Sequence, residues 1–284
     1  MEELIRLENI NFSYGDKPAL KDVSVTIHKS ERIAVLGNNG AGKSTFFLCC
    51  NGVLRPQNGK IFLNGHEITK SKKDISTLRQ TVGVVFQEPD SQIIAGTVES
   101  EVSFGPMNLR LAHDEVADRV TKSIRKMNLE IYRNHAPQYL SGGEKKRVSI
   151  ADILAMQPDM MLLDEPTASL DPENVEILEH TLDELSHSGI TIVVSTHDVD
   201  FAYRFAERAI IFRHGEIIAD ANIDDVFSSD NVLFKAGLKK PSLYAAAELL
   251  KKHFNFNKNM TNEADKTDKK PRRIEDFEDY INKL

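Results

Sequence analysis

Cysteine is nearly absent from this chain of 284 residues: the only two, Cys49 and Cys50, are adjacent. Neighbouring positions on a helix make poor disulfide partners and no metal-ligand spacing surrounds them, so both are expected as buried packing residues. No apolar run approaches the ~20 residues needed to cross a bilayer, which leaves any membrane role to a partner. The N-terminal Met1-Glu2-Glu3-Leu4-Ile5-Arg6 lacks the basic-then-apolar order of a secretory signal, and a soluble cytosolic protein is expected. Neither sign of charge dominates, with 36 basic against 43 acidic side chains, so no global nucleic-acid-binding surface is indicated. No tandem repeat organises the chain, and its length allows one large or two smaller domains around a real core.

What is present centres on Gly37-Asn38-Asn39-Gly40-Ala41-Gly42-Lys43-Ser44-Thr45. The apolar run Ile33-Ala34-Val35-Leu36 before it reads as a strand, and Phe46-Phe47-Leu48 after it as the start of a helix. This is the G-x-x-x-x-G-K-[ST] phosphate loop in the strand–loop–helix setting it needs. Its glycines let successive backbone N–H groups face a polyphosphate, and the helix N-terminus adds partial positive charge. Lys43 is expected to reach the β- and γ-phosphates, and the Ser44 hydroxyl to ligate Mg²⁺. A nucleoside triphosphate is the implied ligand.

Residues 4–27 alternate apolar and polar, as a half-exposed antiparallel sheet does. Tyr14 in that stretch reads either as core or as a platform for an adenine base. Asn64-Gly65 between apolar alternations is a hairpin signal. Val82-Gly83-Val84-Val85-Phe86 reads as a strand buried on both faces, ending at Gln87, where ligands sit in α/β folds. Gln87 is thus a candidate contact to Mg²⁺ or to an attacking water, against the plain reading of a strand-end glutamine. Residues 93–157 turn helical and charged, and contain Leu140-Ser141-Gly142-Gly143-Glu144 opening a helix toward Ala155. That turn is a second anion-binding helix N-terminus, and Ser141 with Glu144 also fits an ordinary capping box. Met160-Met161-Leu162-Leu163 runs into Asp164-Glu165, two carboxylates that are costly to desolvate unpaired. Asp164 is placed as a water-mediated Mg²⁺ partner opposite Ser44, and Glu165 to polarise an attacking water. Another buried strand, Thr191 to Ser195, ends near His197, a structural histidine or a γ-phosphate donor. Beyond residue 228, Leu243, Ala246, Ala247, Leu250 and Phe254 form a helical stripe. A polar linker over 257–273 and an acidic amphipathic helix from Ile274 to Leu284 are expected after it.

Tyr14, the phosphate loop, Gln87, the 140–144 signature, Asp164-Glu165, Ser169-Leu170-Asp171 and His197 stand in one order. In that order the chain resembles the nucleotide-binding subunit of ATP-binding-cassette (ABC) transporters across about residues 3–228. The resemblance implies an α/β P-loop NTPase cassette with a RecA-like parallel core, an antiparallel β layer, a helical subdomain over about 88–157 and a C-terminal helical extension over 229–284. It implies ATP and Mg²⁺ as cofactors, Glu165 as general base, and His197 positioning the γ-phosphate. It further implies a head-to-tail dimer in which Ser141 and Gly143 of one subunit cover the γ-phosphate held by Lys43 of the other. Glu144 departs from the glutamine many members carry, and either residue can cap the helix.

The Phe86–Ile93 stretch and Phe104-Gly105-Pro106 are similar to energy-coupling-factor (ECF) importer ATPases. Ile153-Leu154-Ala155-Met156 and Ser195 to Asp200 are most similar to the cobalt-import branch. This likeness implies import of cobalt or nickel ion at the cytoplasmic membrane face, with a transmembrane scaffold, a membrane capture protein and a second ATPase subunit, a homodimer being favoured. Vitamin import by the same group is the first alternative. A non-transport ABC protein is the second, opposed by the single cassette, the absence of long coiled-coil insertions and the acidic balance; no nucleic-acid partner is expected.

Overall fold

The computed structural model describes residues 2–257 and 270–283. Two long strands, β1 (Glu3–Tyr14) and β2 (Lys17–His28), open the chain as an antiparallel pair. Then β3 (Arg32–Leu36) leads through the phosphate loop into α1 (Lys43–Cys50). β4 (Asn58–Leu63) and β5 (His66–Glu67) form the hairpin signalled by Asn64-Gly65, whose φ angles of 49° and 75° are the left-handed pair such a turn requires. They join β1 and β2 in a four-stranded sheet of order β2-β1-β4-β5.

Next come α2 (Lys72–Thr81) and β6 (Val82–Val85). α2 buries only Leu78, which explains why apolar periodicity did not announce it. Three helices follow and pack on one another: α3 (Val98–Asn108), α4 (His113–Lys126) and α5 (Gly142–Ala155). The chain returns through β7 (Met160–Asp164), α6 (Pro172–His187), β8 (Thr191–Thr196), α7 (Val199–Phe205), β9 (Arg208–Arg213) and β10 (Glu216–Asn222). It closes with α8 (Ile223–Ser228), α9 (Asp230–Ala236), α10 (Ser242–Asn257) and α11 (Asp276–Lys283).

A six-stranded sheet of order β10-β9-β3-β8-β7-β6 divides the molecule. Its strands are parallel except β10, which pairs antiparallel with β9. Successive side chains alternate between its faces, as the pleat demands. Ile33, Val35, Met160, Leu162 and Val193 face the antiparallel layer, α1 and Leu78 of α2, whereas Ala34, Leu36, Met161, Leu163, Ile192 and Val194 face the later helices. Because both faces are covered, the strands read as unbroken apolar runs rather than alternating ones. β3, β6, β7 and β8 therefore all end at one edge, and the loops leaving that edge carry the candidate site.

Two sequence expectations are corrected. α1 begins at Lys43 rather than Phe46, because Gly42 at φ 112° caps it and Phe46 N–H already donates to Gly42 O at 2.8 Å. In α10 the stripe's Ala247 is fully buried, but the large anchor is Tyr244, which the stripe omitted. It is buried among Tyr203 and Phe227 in the same core that Leu233 and Ala236 of α9 enter. The Phe254 side chain lies outside the described residues, as does most of the expected linker, residues 258–269. The residues that follow are docked: Arg272 donates to Ala206 O at 2.7 Å and pairs with Asp224 at 3.0 Å. The expected terminal helix is α11, held by Tyr280 OH donating to Ala247 O at 3.2 Å. Cys49 and Cys50 are unpaired and buried, and burial pushes the Cys49 thiol up to about 12, so they pack rather than react.

Candidate functional site

The phosphate loop owes its shape to two glycines that no other residue could replace. A β-carbon on Gly37, at φ 149°, would lie 2.4 Å from Phe212 O, and one on Gly42 would lie 2.7 Å from Ala19 O. The loop turns on Ala41 N–H donating to Asn38 O at 3.0 Å, leaving Asn38, Asn39 and Gly40 exposed around a concave rim. Lys43 is buried, and its ammonium reaches back to Gly37 O at 2.6 Å and Asn38 O at 3.4 Å. Ser44 is exposed beside it. Thr45 is buried, and its hydroxyl lies 3.5 Å from that of Tyr14. Tyr14 stands at the outer rim, 52% exposed, with its ring edge-on to Phe12 and a face open to a planar ligand.

At the ends of β7 and β8 the two carboxylates are held differently. Asp164 Oδ1 accepts from Ser195 Oγ and keeps partial exposure. Glu165 is buried and takes φ 44°, a left-handed conformation rare for a side-chain-bearing residue. Its N–H is fastened to Ser195 O at 3.0 Å and to Ser195 Oγ at 3.2 Å, so β8 holds it in that geometry. The strained backbone presents the carboxylate between two cationic or donor groups. Oε2 lies 2.9 Å from His197 Nδ1, and Oε1 lies 3.7 Å from Lys43 Nζ. Oε1 is buried with no hydrogen-bond partner, an acceptor aimed into the site and left unsatisfied. The His197 ring is otherwise largely exposed.

Ser44, Phe86, Gln87, Glu88 and Asp164 line a cavity of about 250 Å³ beside α1. Lys43, Ser44, Gln87, Asp164, Glu165 and His197 are thus brought together from four strand ends. Ser141 and Gly143 are not part of this cluster: among the described residues no hydrogen bond or ion pair joins them to the phosphate loop. They cap α5, where the capping box is complete. Ser141 Oγ accepts from Glu144 N–H at 3.3 Å and Glu144 Oε2 from Ser141 N–H at 2.7 Å. Ser141 is exposed, whereas Gly143 is buried beneath Asn174, whose Oδ1 a β-carbon there would meet at 2.3 Å.

Three residues escaped the sequence reading. Ser195 orients both carboxylates, a role that its place at the head of the 195–200 motif did not reveal. Lys146 and Glu101 are each 2% exposed, although charged helical residues normally signal a solvated face. Burial lowers the Lys146 ammonium to about 8, with Glu88 and Asp164 pulling it back up.

The arrangement suits a nucleoside triphosphate with Mg²⁺: a rim of loop amides at a helix start, a buried lysine bound only weakly to a carboxylate, and oxygen donors around a small cavity. It defines a P-loop ATPase. Comparison with known proteins agrees. The ABC transporter family model matches residues 20–168. The energy-coupling factor transporter ATP-binding protein EcfA of Methanothermobacter thermautotrophicus is 46% identical over 239 residues, 84% of this chain and 77% of that protein. The EcfA of Methanocaldococcus jannaschii is 42% identical over 254 residues, 89% of this chain and 91% of that protein. Among solved structures, cbiO1 of Clostridium perfringens, part of the ABC transporter complex cbiONQ, superposes with a TM-score of 0.74. It is 37% identical, over 87% of this chain and 100% of that one. A dimeric cassette in a post-hydrolysis state with ADP and Pi gives a TM-score of 0.69 at 29% identity, over 78% and 99%. The chain belongs to the ABC transporter family as an ATP-binding cassette. It is the ATP-hydrolysing subunit of an ECF-type transporter, and ATP with Mg²⁺ is what it uses. Among the described residues no helix is long and apolar enough to cross a membrane.

Proposed function

We propose that this subunit energises import of cobalt or nickel ion, docked on the cytoplasmic face of the membrane beneath a transmembrane scaffold and a capture protein. The 153–156 and 195–200 motifs support the metal over a vitamin. The site reading rests above all on Glu165, a strained and buried carboxylate with one oxygen on His197 and the other facing the Lys43 ammonium at 3.7 Å without a hydrogen bond. In this reading Lys43 and the loop amides of Gly37 to Thr45 bind the phosphates, and Tyr14 stacks on the base. Ser44, Gln87 and Asp164 would hold Mg²⁺, which supplies charge neutralisation at the phosphate oxygens. The Glu165 oxygen that carries no hydrogen bond accepts the proton of an attacking water, and His197 holds Glu165 until a γ-phosphate competes for its ring. Ser141 and Gly143 act on the nucleotide of a second copy, which accounts for their separation from Lys43 within one chain. Closure of that homodimer completes the site.

Substituting Glu165→Gln is expected to lower turnover by roughly a hundred- to ten-thousand-fold while ATP binding persists. Near-normal hydrolysis would remove Glu165 as the base. In cells deprived of this chain, cobalt or nickel accumulation should fall and return with wild-type protein but not with Glu165→Gln. Intact metal uptake with lost vitamin uptake would refute the metal assignment.

A further inference from the structure

Lys146 is buried on α5, and among the described residues no carboxylate lies within ion-pair distance of it. Glu88 and Asp164 act on this ammonium only from beyond ion-pair distance, so its hydrogen bonds supply the contacts that offset its desolvation. Its Nζ donates to Phe86 O at 3.0 Å and to Gln87 O at 2.7 Å. Those two carbonyls lie just beyond the end of β6, where the sheet ladder no longer satisfies them. The same loop is gripped further along by the same helix. Gln92 Oε1 accepts from Phe86 N–H at 3.1 Å, while its Nε2 lies 3.3 Å from Ser149 O and 3.4 Å from Asp152 Oδ2. Lys145 Nζ meets Asp90 Oδ1 at 2.8 Å. Positions 145, 146, 149 and 152 fall on one face of α5, so a single helical surface holds the loop from 86 to 92.

We propose that Lys146 is a positioning residue that fastens the Gln87 loop to α5, so that Gln87 and the Ser141 end of the helix move as one body. This rests on the reading of Gln87 and Ser141 given above. Removing the ammonium leaves the phosphate loop intact but uncouples Gln87 from α5. Lys146 never touches the nucleotide; it acts through Gln87.

The test compares Lys146→Met, Lys146→Gln, Gln87→Ala and the Lys146→Met/Gln87→Ala pair in the full chain. Without nucleotide, hydrogen exchange of the Phe86, Ser91 and Gln92 amides should quicken roughly tenfold or more in Lys146→Met, with α5 amides unchanged. Turnover should fall roughly ten- to a hundred-fold, with ATP affinity retained. In the Gln87→Ala background Lys146→Met should cost little further turnover, because the grip on the carbonyls acts on turnover only through the Gln87 side chain. Lys146→Gln, which keeps a donor, should recover part of the turnover and serves if the methionine variant fails to fold. Unchanged loop exchange overturns the proposal. So does a lowered melting temperature with loss of ATP binding, which would mark Lys146 as general structure. If Gln87→Ala alone keeps full turnover, the reading of Gln87 fails, and the exchange result still judges the grip.

Discussion

Asp152 offers a stability test whose sign is set by where it sits. Its carboxyl is half-buried on α5 beside buried Glu101, and among the described residues its one side-chain hydrogen-bond partner is Gln92 Nε2 at 3.4 Å. Glu101 accepts the Ile94 and Ala95 N–H groups at 2.9 and 2.6 Å, a fixed anion close by. Desolvation first, and then Glu101, raise Asp152 from 3.8 to about 7, against a small opposing pull from Gln92. The native state therefore holds this proton more tightly than the unfolded chain. Between about pH 4 and pH 7 it binds more protons than the unfolded state, so stability falls as pH rises through that window, and the penalty is complete above it. At ~1.4 kcal/mol per unit the full cost is on the order of 4 kcal/mol, and partial exposure reduces it to about 2. Asp152→Asn removes the charge and keeps a polar partner for Gln92. Urea unfolding at about pH 4.5 should find the asparagine variant ahead by only about 0.5 kcal/mol, and at about pH 8 by about 2 kcal/mol. A difference that stays constant with pH, or one that favours aspartate at high pH, would refute the reasoning.

Two packing predictions accompany it. Gly83 on β6 faces α5 so closely that an added β-carbon would lie 2.1 Å from Ile153 Cγ2. Gly83→Ala should destabilise by about 1–3 kcal/mol, and Ile153→Ala in the same chain should recover most of that; additive losses in urea unfolding would show that the two do not share the contact. Tyr244→Ala should cost about 3–5 kcal/mol by emptying the space between Tyr203 and Phe227 and removing the ring beneath Lys270, whose Nζ lies 3.5 Å from the centroid. A loss under about 1 kcal/mol would mean that the C-terminal helices add little to the shared core.

What the chain declares locally was legible before any coordinates. The phosphate loop, the buried strand runs, the Asn64-Gly65 hairpin and the Ser141–Glu144 capping box are each written in consecutive residues, because each answers to backbone sterics or to burial within one element. The family order of the motifs added the cassette. Tertiary structure alone decided the rest. It showed that Glu165 is strained and half-satisfied, since that depends on Ser195 and His197 some thirty residues away. It turned Lys146, Glu101 and Asp152 inward, because a charged side chain on a helix shows its direction only once its neighbours are in place. It also put Tyr244 beside Ala247 of the stripe against the core and left Leu243, Ala246 and Leu250 only partly buried, since which face of α10 is covered depends on the elements it meets. Local rules choose elements; burial and electrostatics between distant elements choose which side chains become a site.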